Sequence, residues 1–378
     1  MSTIELPIHA SDSPDHSGPI EDGRALSLSG GGYRAMLFHL GALWRLNDLG
    51  MLQGLKRISS VSGGSITSAV LGLAWSKLAF AGGSAANFAE LVVVPVRKLA
   101  GKTIDEGAII KGALLPGSIN ERFAAALRKQ LYGEATLQDL PDAPRFVINA
   151  TNMQTGKLWR FSRPYMGDWT IGRVMSPTFA LADAVAASAA FPPVLSPAVL
   201  KLKASDYFPG DTGENRKPEF MSQVVLADGG VYDNLGLETC FKRYRTLLVS
   251  DAGMRPEAEA KLAKDPVRQT VRVLEVADSQ VRALRKRQLL GTYVAAERKG
   301  AYWSSTSDVA NYPAKTQLSC PVDRTKQLAV VPTRLKKLPG ELQDRLINWG
   351  YAICDTAVRS WVDSSLPAAT KFPCAGGV

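Results

Sequence analysis

From residue 24 onward the chain alternates short apolar runs with longer segments whose apolar residues recur every three or four positions. Arg24–Leu28 is a short apolar run that ends at three glycines, Gly30, Gly31 and Gly32. Residues 35–46 follow, with helical spacing at Leu37, Leu40, Leu43 and Leu46. Residues 57–61 read as a second strand, and the small-residue segment from Ile66 as a second helix. Strand, helix, strand and helix in about fifty residues predict a parallel βαβ unit with a right-handed crossover. Three further runs, 146–150, 224–227 and 246–250, are short, apolar and bounded by turn residues, as buried parallel strands are.

Two later segments have helical spacing. Residues 261–288 are basic, with Val267, Val271, Leu274, Val281 and Leu284 in a stripe, and Leu342, Leu346, Trp349 and Ile353 line a final helix. Residues 201–219 have no period and carry Gly, Pro and charge; their length and composition make them a candidate lid. The expected organisation is a loose tail over 1–22, one α/β domain over 23–363 and a C-terminal tail over 364–378. No internal repeat or low-complexity tract appears.

With 378 residues, 46% of them hydrophobic and 21% charged, the chain can bury a sizeable core. No apolar run approaches the roughly 18 residues that span a bilayer. The polar N-terminus lacks the basic start and apolar centre of a signal peptide. The expectation is a cytoplasmic protein, at most peripheral at a membrane. Cys240, Cys320, Cys354 and Cys374 make no CxxC pair and no zinc spacing, so reduced thiols are expected. The net charge of +10 suits an anionic surface, either membrane headgroups or nucleic acid, and solubility accounts for it equally well. Arg282, Arg285, Lys286, Arg287, Arg298 and Lys299 concentrate that charge in one stretch. No motif supports nucleic acid, and none is expected as a partner.

The chemistry rests on three motifs. Ser62 lies in Ser60-Val61-Ser62-Gly63-Gly64, between a strand and a helix. That is the pattern of a nucleophile elbow, whose tight turn needs small neighbours and exposes the hydroxyl at a helix N-terminus. The glycines at 30–32 present backbone N–H groups between another strand and helix, which can hold an anion or a tetrahedral oxyanion. They do not form a dinucleotide fingerprint, and Gly101-Lys102-Thr103 lacks the upstream glycine of a phosphate loop. Asp228 ends an apolar strand and precedes Gly229 and Gly230, where α/β folds place their sites. A serine nucleophile needs a base, and this chain has only three histidines. His9 and His16 are in the tail, and His39 is expected to pack or hydrogen-bond within its helix. An aspartate in a desolvated site is the remaining base; Asp228 is preferred to Asp251 for its flanking glycines. These motifs are those of a serine acyl hydrolase with a two-residue dyad.

The set resembles the patatin-like phospholipases over roughly residues 24–362. GGGYR at 30–34, SVSGG at 60–64, the small-residue run 187–193 and DGG at 228–230 occur in that family's order. The resemblance implies a three-layer α/β/α sandwich with a mostly parallel central sheet, and cleavage of acyl esters of lipids. It implies Ser62 as nucleophile, Asp228 as base, Gly30, Gly31 and Gly32 as oxyanion hole, and Arg34 as support for that loop. Two positions depart from the family pattern: Ser60 stands for the first glycine of G-x-S-x-G, and Ala35 for the glycine after the arginine. The implied substrate is a phospholipid, with a neutral lipid or carboxylic ester as the alternative and an inactive binding module as the non-enzymatic one. No metal or cofactor is expected, since the sequence has neither a calcium loop nor a zinc site. An anionic membrane surface and a small-molecule or protein activator are the expected partners.

Overall fold

The computed structural model describes residues 19–104, 118–192, 195–254 and 258–378. The chain opens with β1 (Glu21–Leu28), α1 (Gly32–Asp48), β2 (Leu55–Ser60) and α2 (Gly63–Ala74). A small hairpin, β3 (Phe80–Ala81) and β4 (Ser84–Ala85), leads to α3 (Val94–Ala100) and α4 (Ile119–Leu127). Next come β5 (Arg145–Asn152), β6 (Lys157–Phe161), β7 (Tyr165–Asp168), β8 (Gly172–Met175), α5 (Leu181–Ser188) and β9 (Ala198–Lys201). The last part holds α6 (Pro218–Met221), β10 (Gln223–Asp228), α7 (Gly230–Asp233), α8 (Glu238–Phe241) and β11 (Tyr244–Asp251). It closes with α9 (Pro266–Val294), β12 (Lys299–Ser304), α10 (Val322–Ala329) and α11 (Gly340–Trp361).

The strands form one sheet in the order β12-β11-β1-β2-β5-β6-β7-β8, parallel from β12 to β5 and antiparallel beyond. Helices cover both faces, which gives the three-layer α/β/α sandwich. Side chains alternate along each strand. Leu26, Leu28, Ile58 and Leu248 face the larger core with α1, α2 and α11. Ala25, Leu247 and Val249 face a smaller one closed by Leu237, Cys240 and Leu289. Every residue of α1 except Trp44 and Asp48 is buried. It packs on α11 at two glycines: a Cβ on Gly41 would lie 1.9 Å from the Ile347 carbonyl oxygen, and one on Gly350 1.8 Å from that of Phe38.

Two features differ from the sequence reading, and a third adds to it. The first strand begins at Glu21, because Glu21 pairs with Tyr244 ahead of the apolar run. Residues 224–227 belong to a strand antiparallel to both neighbours, β5 and β9. An apolar run reports burial and carries no sign of chain direction. The stripe on α9 is not covered: Val271, Leu274, Val281 and Leu284 are exposed, and the Val267 side chain lies outside the described residues. The C-terminal residues lie against the body, where Asn348 donates to the carbonyls of Cys374 (3.1 Å) and Gly377 (2.7 Å).

Candidate active site

The register on β5 decides the site. β2 runs parallel to β5 and its last residue, Ser60, pairs with Ile148. β10 runs the other way and its last residue, Asp228, pairs with Ala150 on the same edge. The two strands therefore meet end to end along β5, and the turn that carries Ser62 arrives beside Asp228. The Ser62 hydroxyl lies near enough to the Asp228 carboxyl to act on its pKa, pulling it down against the effect of burial. Backbone contacts fix the aspartate: its N–H donates to the Ala190 carbonyl at 2.8 Å, and its carbonyl accepts from the Thr151 hydroxyl at 2.8 Å.

Ser62 has φ 52° and ψ −120°, a strained left-handed backbone for a residue with a side chain. Its position at the N-terminus of α2 places the hydroxyl in the positive end of the helix dipole. The strain is held by a chain of buried hydroxyls. The Ser62 N–H donates to Ser188 Oγ (3.0 Å), which lies 2.9 Å from Ser65 Oγ, and Ser65 Oγ donates to Ser60 Oγ (3.1 Å). Asn149 supports the strand end from below, its Nδ2 donating to the Ser60 carbonyl at 2.9 Å. Ser60, where the family pattern has glycine, is thus a member of this chain. Sequence reasoning marked residues 187–193 only for their size and assigned Ser188 no partner; a hydroxyl among alanines was the available signal.

The glycine loop crosses the elbow. A Cβ on Gly30 would lie 3.2 Å from Ser62 Cβ, and one on Gly63 would lie 2.2 Å from the Gly32 carbonyl oxygen. Gly31 (φ 140°) and Gly32 (φ 58°) adopt the left-handed backbone that glycine tolerates. The three are not equivalent as donors. The Gly30 N–H donates to the Asn234 carbonyl at 3.1 Å. The Gly31 and Gly32 N–H groups have no intramolecular acceptor among the described residues, and they open α1. Arg34 lies beneath: its Nε and Nη2 donate to the Ala252 carbonyl (3.1 and 2.9 Å) and its Nη1 to that of Val331. Burial lowers its pKa to about 10, so it stays cationic at neutral pH.

Burial raises the Asp228 carboxyl to about 7, against the opposing pull of the Gly230 N–H (2.7 Å) and the Ser62 hydroxyl; the Asp278 charge adds to the rise. The other titratable residues have structural partners. His39 lies between Ser250 Oγ (2.8 Å) and the Ser29 carbonyl (2.9 Å), and burial pushes its pKa down to about 4. The carbonyl can only accept, so Nε2 carries the proton and the Ser250 hydroxyl donates to Nδ1. Asp251 accepts from the Gly253 N–H (2.8 Å) and the Tyr302 hydroxyl (2.7 Å). Asp233, buried, accepts the N–H groups of Leu235 and Glu238 at 3.2 and 2.7 Å.

Much of the basic stretch is engaged internally. Arg282 pairs with Asp278 (3.0 Å) and Arg285 with Glu238 (2.9 Å), while Lys286 lies over the Tyr302 ring and Arg298 over that of Phe241. The candidate lid is stitched to the β7–β8 hairpin: Asp211 pairs with Arg173 at 2.6 Å, Tyr207 is buried, and the Asn215 N–H donates to the Thr170 carbonyl at 2.8 Å. Among the described residues, no group of His, Cys, Asp and Glu could hold a metal ion. No helix among them is long and apolar enough to cross a membrane.

The fold is a three-layer α/β/α sandwich in which a strand–turn–helix serine, Ser62, lies beside an aspartate, Asp228. The family model of the patatin-like phospholipases matches residues 26–241, more than half of the chain. The chain belongs to the patatin-like phospholipase family. Among solved structures it is similar to human GIVD cytosolic phospholipase A2, with 15% identity, a TM-score of 0.53, and coverage of 89% of this chain and 58% of that one. It is also similar to the same human protein in complex with methyl gamma-linolenyl fluorophosphonate and terbium chloride, with 13% identity, a TM-score of 0.50, and coverage of 89% and 57%. The chain thus spans less than two thirds of the length of these two solved structures, and the likeness is one of fold. No curated protein sequence matches significantly.

Proposed function

We propose that the protein is a serine acyl hydrolase that cleaves fatty-acyl esters of phospholipids, with Ser62 as nucleophile and Asp228 as its base. The observation that carries this reading is the meeting of β2 and β10 along β5, which sets the Ser62 turn beside Asp228, a buried carboxyl whose pKa is raised to about 7. A carboxylate near the operating pH is a competent proton acceptor, where an ordinary one would be too weak. Asp228 takes the hydroxyl proton as Ser62 Oγ bonds to the ester carbonyl carbon. The resulting oxyanion is held by the N–H groups of Gly31 and Gly32, with Gly30 holding the loop through Asn234 and Arg34 fixing it from below. The C–O bond to the lysolipid then breaks, and the leaving oxygen takes the proton from Asp228. Water attacks the acyl-serine, giving its proton to Asp228, and Ser62 recovers a proton as the fatty acid leaves. Family membership supports a lipid ester as substrate. The complex of the human protein with a fluorophosphonate, a reagent class that captures nucleophilic serines, supports a serine nucleophile in this fold.

The test is fatty-acid release from phospholipid vesicles. Ser62→Ala and Asp228→Asn are each expected to lose at least about 10³-fold in turnover, and Ser62→Ala to lose labelling by a fluorophosphonate. The base form of Asp228 exists above its pKa, so kcat/KM rises with pH through about 7 and levels off above it. A rate independent of pH between 5 and 9, or full turnover by Asp228→Asn, would remove Asp228 as the base.

A further inference from the structure

Helix α9 is the least covered of the long helices among the described residues. Its 29 residues extend about 43 Å, against about 27 Å for the eight-residue strand β11 that it accompanies. Only its last third rests on the sheet, through Leu289 and Tyr293. Leu289 is its one buried side chain among those described. Farther up, Val273 (66% exposed), Leu274 (61%), Val281 and Leu284 (57%) are bare. At 3.6 residues per turn these four fall within an arc of about 100°.

The bare part lies beside the site. Arg282 donates to the Met254 carbonyl, just past the Ala252 carbonyl that holds Arg34. Arg285 pairs with Asp233, the end of the turn that starts two residues after Asp228. Three large apolar side chains are exposed on segments next to catalytic-site groups. Phe191 follows the Ala190 that holds the Asp228 N–H, Val231 follows the Gly230 bonded to its carboxylate, and Met254 accepts Arg282. A soluble protein seldom leaves so many large apolar groups bare unless something covers them.

We infer that the α9 stripe, with Phe191, Val231 and Met254, is the surface by which the protein docks on a lipid bilayer, with the site mouth at that surface. The inference rests on the acyl-hydrolase reading and names the partner of the same site. Two observations favour lipid over a second helix. A two-helix seam is narrow and flanked by paired charges. Here Val273 widens the stripe and Gln280 borders it on one flank, and on the other Asp278 and Arg285 are spent in ion pairs within the protein. Because Arg282, Arg285 and Lys286 are engaged, apolar contact rather than charge dominates the docking. It should therefore occur on zwitterionic lipid and increase modestly with anionic lipid.

The experiment is co-sedimentation of the Ser62→Ala protein with phosphatidylcholine vesicles, with and without added phosphatidylglycerol. Binding to both is expected, and Val273→Ser, Leu274→Ser, Val281→Ser and Leu284→Ser combined should weaken it about tenfold or more. On the native Ser62 background the same four substitutions should leave cleavage of a water-soluble short-chain ester unchanged and cut vesicle hydrolysis. A single Val273→Trp should show a blue shift of emission on vesicles, which does not depend on the fourfold variant folding. Vesicle binding that is absent, or indifferent to the four substitutions, overturns the inference. So does a dimer in sedimentation equilibrium that those substitutions dissociate, since a second copy would then cover the stripe. Failure of the parent to cleave any ester or to react with a fluorophosphonate, with vesicle binding intact, would count against the hydrolase reading instead.

Discussion

Helices α1 and α9 both carry apolar residues at spacings of three and four, yet α1 is buried nearly all round and α9 is almost bare. The difference lies in what meets them. α1 is pressed between the sheet and α11, close enough for backbones to touch at Gly41 and Gly350. α9 has the sheet under its last third and, among the described residues, no helix over its stripe. A buried leucine contributes about 1.5–3 kcal/mol to stability. The same residue on α9, where Leu274 and Leu284 are exposed, contributes little to folding. The proposed site lies where the two regimes meet: Ser62 is anchored in the packed half, and the segments that follow Asp228 and Ala252 are held by Arg285 and Arg282 of the bare helix.

The sharpest way to break this contrast is Gly350→Ala. The added Cβ would meet the Phe38 carbonyl, so α1 and α11 must separate. A loss of more than about 3 kcal/mol is expected, read as a large drop in denaturation midpoint. A near-neutral result would show that the packed half is looser than its geometry.

A smaller effect is expected from Ser188→Ala. It removes the acceptor for the Ser62 N–H and the partner of Ser65, at a cost of about 1–3 kcal/mol. Because it acts on the strained elbow, the slower step should appear as reduced kcat and slower fluorophosphonate labelling with KM little changed. Ser188→Thr, which keeps a hydroxyl, should recover part of both. Equal loss in the alanine and threonine variants would mean that packing, and not the hydroxyl, matters there.

The smallest effect belongs to the bare half. Leu274→Ser with Leu284→Ser should change stability by no more than about 0.5 kcal/mol, measured by chemical denaturation. A loss comparable to that of a core leucine would show that α9 is covered in solution.

Much of this was legible along the chain. The strands at 24–28, 57–61, 146–150 and 246–250, the helix after the glycines and the final helix all appear where periodicity and turn residues put them. Ser62, Asp228 and the glycines are conspicuous because strained turns and close backbone approach admit few residue types. Other features were not legible. The Gly30 N–H is spent on Asn234, a contact between segments some two hundred residues apart. Ser188 reads as one small residue among several until the fold sets it against the Ser62 N–H. The basic stretch reads as a charged surface until its partners, Glu238 and the rings of Phe241 and Tyr302, are in place.

The sequence by itself determined the elements, the small-residue turns and the chemical groups available, because local sterics and periodicity act over a few residues. Tertiary structure decided which of those groups meet. β10 runs against β5 where the apolar run suggested a parallel strand, and that reversal brings Asp228 to the end of β2, beside Ser62. Direction and register are set by backbone pairing along β5 and by what covers each face, and neither is written in the residues of any one segment.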